Sequence, residues 1–78
     1  MDYTIQLKQP EEADERWRDV QIDQVVLVDK RKTLKMARYL TNRMGCEAFF
    51  RVMEWPGRGE WPRVIWTSEV EKENQFIA

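Results

Sequence analysis

Trp55-Pro56-Gly57-Arg58-Gly59-Glu60-Trp61-Pro62 lies between two apolar runs, Ala48 to Met53 and Val64 to Thr67. A Gly/Pro-rich interval of this length between strand-like runs is a hairpin signal. Placing Trp55 opposite Trp61 across the neck of a 56–60 loop fixes a register. Val52 then opposes Val64, Phe50 opposes Trp66 and Ala48 opposes Ser68. Those pairs share one sheet face and form a candidate core layer. The other face collects Phe49, Arg51, Met53, Trp55, Trp61, Arg63, Ile65 and Thr67. It is too apolar for plain solvent and too basic for a plain core.

The segment before the hairpin holds the clearest helix. Leu34, Met36, Ala37, Leu40 and Met44 fall on one side of a helix over 33–44. Leu40 and Ala37 are its expected buried residues. Arg31, Lys35, Arg38 and Asn42 fall opposite, at spacings of four, three and four. Asp29 or Thr33 caps its start, and Gly45 stops it. Upstream, Val20 to Val28 is rich in branched residues and reads as a strand, most firmly over 24–28. Asp2 to Lys8 alternates, with Tyr3, Ile5 and Leu7 against Thr4, Gln6 and Lys8. That is a half-buried strand. Residues 10–18 form a short helix or acidic loop anchored by Trp17, and 70–78 a frayed tail or short helix. The expected fold is one two-layer α+β domain: a mostly antiparallel sheet of three to four strands with one main helix on one face.

The chain has 78 residues, so its core is small. Charged residues make up 35% but balance to a net charge of −1, which points to neither a nucleic-acid nor a membrane partner. The charge is segregated, however. Segments 11–23 and 69–73 are acidic, while 30–43 carries six basic residues and no acidic one. No apolar run approaches membrane-spanning length. A single cysteine cannot form an internal disulfide. With no signal-like apolar segment after Met1, a reducing cytoplasm is the expected compartment.

No catalytic motif emerges. Histidine is absent, which removes the commonest general base and metal ligand. Cys46 follows a helix C-terminus rather than preceding an N-terminus, so a structural role outweighs a nucleophilic one. Ser68, the only serine, lacks a nucleophile-elbow pattern. Glu54 and Glu60 flank the hairpin loop, but an exposed tip offers no cleft for a paired-carboxylate hydrolase. Gly57 and Gly59 lack the strand-to-helix setting of a nucleotide fingerprint. No cofactor, metal or enzymatic activity is expected.

Binding is therefore the expectation. The leading reading is a protein-binding module that docks on a larger assembly as a modulator or inhibitor, in its sharpest form a phage- or mobile-element-type inhibitor of a host complex. Its candidate contacts are Phe49, Arg51, Met53, Trp55, Arg58, Trp61 and Arg63 on the hairpin, helped by Arg31, Lys35 and Arg38 on the helix stripe. Tryptophan and arginine are the types most enriched at interface hot spots. Against it stand a hairpin merely stapled by its tryptophans and residues 10–18 folded over the apolar surface, with an ordinary solvated helix face. The alternative function is a nucleic-acid-binding domain using the aromatic and arginine face as a base-stacking platform. Self-association of that face into a homodimer is the third reading.

Overall fold

A computed structural model describes residues 2–11 and 16–68, apart from the side chain of Cys46. The expectations for the tail at 70–78 and for Cys46 burial lie outside these residues, as do those for 12–15. The described chain runs β1 (Asp2–Lys8), β2 (Arg18–Asp19), α1 (Gln24–Leu27), α2 (Lys30–Met44), a 3-10 turn (Gly45–Glu47), β3 (Phe49–Trp55) and β4 (Arg63–Thr67). Four antiparallel strands form a sheet in the order β2-β1-β3-β4. The α+β architecture expected from the sequence is therefore present, with one main helix and a second, shorter one.

The alternation in β1 sets the two faces. Tyr3, Ile5 and Leu7 stand opposite Glu54, Val52 and Phe50 of β3. These residues face the helices. The core consists of Tyr3, Ile5, Leu27, Ala37, Ala48, Phe50 and Val52, with Leu34, Met36, Leu40, Ile65 and Trp66 packed against it. Thr4, Gln6 and Lys8 stand opposite Met53, Arg51 and Phe49 on the other face.

Segment 20–28 differs from its sequence reading. It holds α1 rather than a strand, and β2 is only two residues long. Branched residues favour strands, but capping overrides that weak preference here. The Asp23 carboxylate accepts a hydrogen bond from the Val25 amide at 3.0 Å and starts α1. The Asp29 carboxylate accepts from the Lys32 amide at 3.1 Å and starts α2 almost at once. Val25 and Val28 are left exposed.

Thr33 ties the two helices together. It is fully buried, and its hydroxyl lies 2.9 Å from the Val26 carbonyl and 2.8 Å from that of Asp29. Thr33→Val keeps the shape but removes the hydroxyl's hydrogen bond to the Val26 carbonyl, which keeps the Asp29 amide at 3.1 Å. We expect a loss of about 0.5–1.5 kcal/mol in urea unfolding, the net value of one hydrogen bond. A loss under roughly 0.5 kcal/mol, the scale of a surface change, would contradict the tie. Along α2, Ala37 is buried as expected, whereas Leu40 is only half-buried and Met44 is exposed. Thr33 and Ala37 occupy the closest approach, so the longer residues reach the core from its flanks. Arg31, Lys35, Arg38 and Asn42 are exposed. Gly45 ends the helix at φ 60°, a left-handed value that favours glycine.

The hairpin forms, but in a different register. Arg51 opposes Thr67 and Val52 opposes Trp66, whereas Met53 opposes Val64 and Glu54 opposes Arg63. Ile65 is thus the extra residue of a β-bulge, and the two sides of the bulge have opposite parity. Phe50 and Val52 stay buried, as expected. Beyond the bulge the β4 faces swap. Val64, expected inside, is exposed opposite Met53. Ile65, expected outside, packs on the core. Arg63 joins the helix-facing side against Glu54. The Trp55–Trp61 pair is absent from the ladder, because β4 begins only at Arg63. Residue 48, the first of the apolar run, precedes β3, which begins at Phe49.

Candidate functional site

The outer sheet face divides into a covered half and an open half. The covered half starts with Arg51, whose Nε donates to Gln6 Oε1 at 2.7 Å. Gln6 Nε2 in turn donates to Asp19 Oδ1 at 2.9 Å on β2. The Arg51 guanidinium lies 4.4 Å from the centre of the Trp17 ring. Lys8 Nζ is 5.7 Å from the centres of both the Trp17 and Phe49 rings. The Lys8 side chain is buried, and the two ring faces contribute to stabilising its charge there. Trp17 thus closes this half, as the anchoring expectation required. Phe49 and Arg51 are half-buried within it.

The open half lies toward the hairpin end. Trp55 is 43% exposed and Val64 46% exposed, with half-buried Met53 between strands opposite Val64. Trp55 Nε1 donates to Thr4 Oγ1 at 3.0 Å, so this indole leans over β1 and is fixed by it. Trp61 is 88% exposed in the connecting segment. The turn there closes with the Glu60 amide donating to the Gly57 carbonyl at 3.0 Å. Its two central residues, Arg58 and Gly59, have φ of 55° and 78°. Positive φ at both is the type I′ pattern, whose twist suits a hairpin. Glycine adopts it freely, but arginine at Arg58 carries a strain of roughly 1–2 kcal/mol.

Arg63 and Glu54 form a separate cluster on the helix-facing side. Glu54 is only 4% exposed, and Arg63 Nε reaches its Oε1 at 2.8 Å while a second guanidinium nitrogen lies at 2.6 Å. The expectation of an exposed Glu54 near Glu60 is corrected accordingly. Parity carried the signal, since Glu54 is in step with Phe50 and Val52. Tyr3, opposite Glu54, has its phenol pushed above the ordinary 10.0. Burial is the main cause; the charge of Glu54 and a hydrogen bond to it come next, then Asp29, with Arg63 opposing. The folded state therefore holds this proton where the unfolded state loses it. The resulting stability is fully present below about pH 10 and is lost as pH rises through the folded-state value. Tyr3→Phe should flatten that alkaline loss in unfolding measured across this range. An unchanged slope would show that Tyr3 does not titrate under these constraints.

The basic stripe lies elsewhere. Arg31, Lys35 and Arg38 are exposed on α2, which packs on the helix-facing side of the sheet. Sheet thickness separates them from Phe49, Arg51, Met53 and Trp55, so the two candidate surfaces are distinct. Sequence reasoning missed the buried Lys8 and Val64 as an exposed residue. No protein family, curated protein or solved structure matches this chain.

Proposed function

We propose that this chain is a non-enzymatic protein-binding module that docks through the open end of its hairpin. The observation that carries the reading is Trp61, 88% exposed in a chain with a small core. A tryptophan held in water forgoes more apolar burial than any other side chain, roughly 25 cal/mol for each Å² left exposed. Trp55 and Val64 extend the apolar surface on the same hairpin. Arg58 adds a cation at a strained backbone position, and such strain concentrates at functional sites. Modulation or inhibition of a larger assembly, of the phage or mobile-element type, is the form of this function we favour. The single cysteine suits a reducing cytoplasm. Among the described residues no helix is long and apolar enough to cross a membrane.

Base stacking on the outer face is the weaker reading. Its arginine is already stacked on Trp17 and bonded to Gln6. The test is capture from host lysate, with and without nuclease, using wild type and a Trp55→Ala/Trp61→Ala variant. A protein band that survives nuclease and vanishes with the variant is expected. Capture that nuclease abolishes would overturn the reading in favour of nucleic acid.

A further inference from the structure

The first turns of α2 carry a second surface, independent of the hairpin. Lys32, Lys35, Met36 and Tyr39 follow one another at spacings of three, one and three. They share a helix flank beside the one that carries Ala37 and Thr33 into the core. With Val26 of α1 they line an open groove of about 380 Å³. Its floor is the apolar part of Val26, Met36 and Tyr39, and its rim holds Lys32 and Lys35. Val25 on α1 and Val28 just after it are exposed, at 65% and 53%. Tyr39 is also exposed, and its hydroxyl accepts a hydrogen bond from Arg43 at 3.2 Å.

We propose that this groove between α1 and α2 binds an acidic protein segment bearing a large apolar side chain. The charge selects the partner's sign: residues 30–43 hold six basic side chains and no acidic one. The floor selects its class. A phosphate backbone is recognised by cations and hydrogen-bond donors and gains nothing from the apolar floor. A peptide with carboxylates flanking an aromatic or branched residue uses both features, as amphipathic segments do in other grooves. Lysine on the rim suits carboxylates that approach at variable angles, because an ammonium is a point charge without arginine's fixed fork. The pairing of α1 with α2 builds the groove, so Asp23 and Asp29 capping and the Thr33 tie keep it in shape.

The probe is a short fluorescein-labelled peptide of glutamates around a central Leu-Trp pair, titrated into the full chain and followed by anisotropy. Two controls are the same peptide with Ala-Ala at the centre and a labelled single-stranded oligonucleotide. Binding of the Leu-Trp peptide should weaken at least about tenfold in Lys32→Glu/Lys35→Glu, and similarly in Tyr39→Ala. Both variants should keep the wild-type melting temperature, since the side chains changed are exposed. The Trp55→Ala/Trp61→Ala variant should bind the peptide like wild type, which separates this site from the hairpin. Four results would overturn the proposal. They are no binding of the Leu-Trp peptide, equal binding of the Ala-Ala peptide, tighter binding of the oligonucleotide, and an affinity raised tenfold or more by Phe76→Ala/Ile77→Ala. The last would make the chain's own acidic C-terminal segment the occupant.

Discussion

Phe50→Ala should lower the unfolding free energy by about 3–5 kcal/mol, the usual range for an aromatic removed from a core. Phe50 is 1% exposed and stands at the meeting of both layers. It opposes Leu7 on β1, and its amide donates to the buried Ser68 hydroxyl at 3.0 Å. Its ring is the largest fully buried side chain in the described structure. The core around it has few residues, so little else can collapse into the space. A domain of this length has a total stability of roughly 4–12 kcal/mol. The variant should therefore lose a large share of its stability, seen as a lowered urea midpoint and a lowered melting temperature. Phe49→Ala is the matched control, because its ring lies on the opposite face under Lys8. A larger loss for Phe49 than for Phe50 would reverse the sheet's faces.

Trp61→Ala should have the opposite profile. Its side chain is almost wholly in water, so stability should change by less than about 0.5 kcal/mol. Partner affinity should fall by roughly 2 kcal/mol or more, about thirtyfold, because a tryptophan anchor is desolvated only in the complex. The loss should come mainly from faster dissociation, since packing acts after encounter. Reversing Arg31 and Arg38 to glutamate acts on another surface and by long-range attraction. It should slow association, with an effect that shrinks as salt rises. A Trp61→Ala complex with an unchanged dissociation rate would place the docking surface elsewhere.

The sequence made some elements legible because one signal dominated each. The two-residue alternation of β1 competed with nothing. The helix around Leu34 to Met44 had both a period and a glycine stop. The hairpin had its turn residues. The failures share a different cause, which is competition between local signals. At 20–28 the branched residues argued for a strand, while Asp23 and Asp29 argued for two helix starts. Caps decided, because each carboxylate satisfies an amide that a short helix leaves open. In β4 a single extra residue, Ile65, reversed the parity of Val64 and Arg63. No composition rule marks a bulge within a run as regular as Val64-Ile65-Trp66. The buried Lys8 was hidden for another reason. Only the chain's return through Trp17 makes a dry site for its charge.

That division of the outer face is also what narrows the candidate site. Phe49 and Arg51 were candidates of equal standing with Trp55 and Trp61 by parity alone. Packing separates them: Trp17 covers the first pair's half and leaves the second pair open. Arg63 moves to the opposite side to neutralise Glu54, and Val64 takes its place outside.

Four tryptophans give four indole N–H signals, and their response to a captured partner is the direct measurement. A nitrogen-15 spectrum of the full chain, assigned by single Trp→Phe variants, would be recorded with and without the bound protein. Large shifts or broadening are expected for Trp61 and Trp55, and little change for Trp17 and Trp66. Perturbation centred on Trp17, with Trp61 unmoved, would contradict the proposed docking surface, because the partner would then displace the internal cover and bind the half of the sheet that the fold closes.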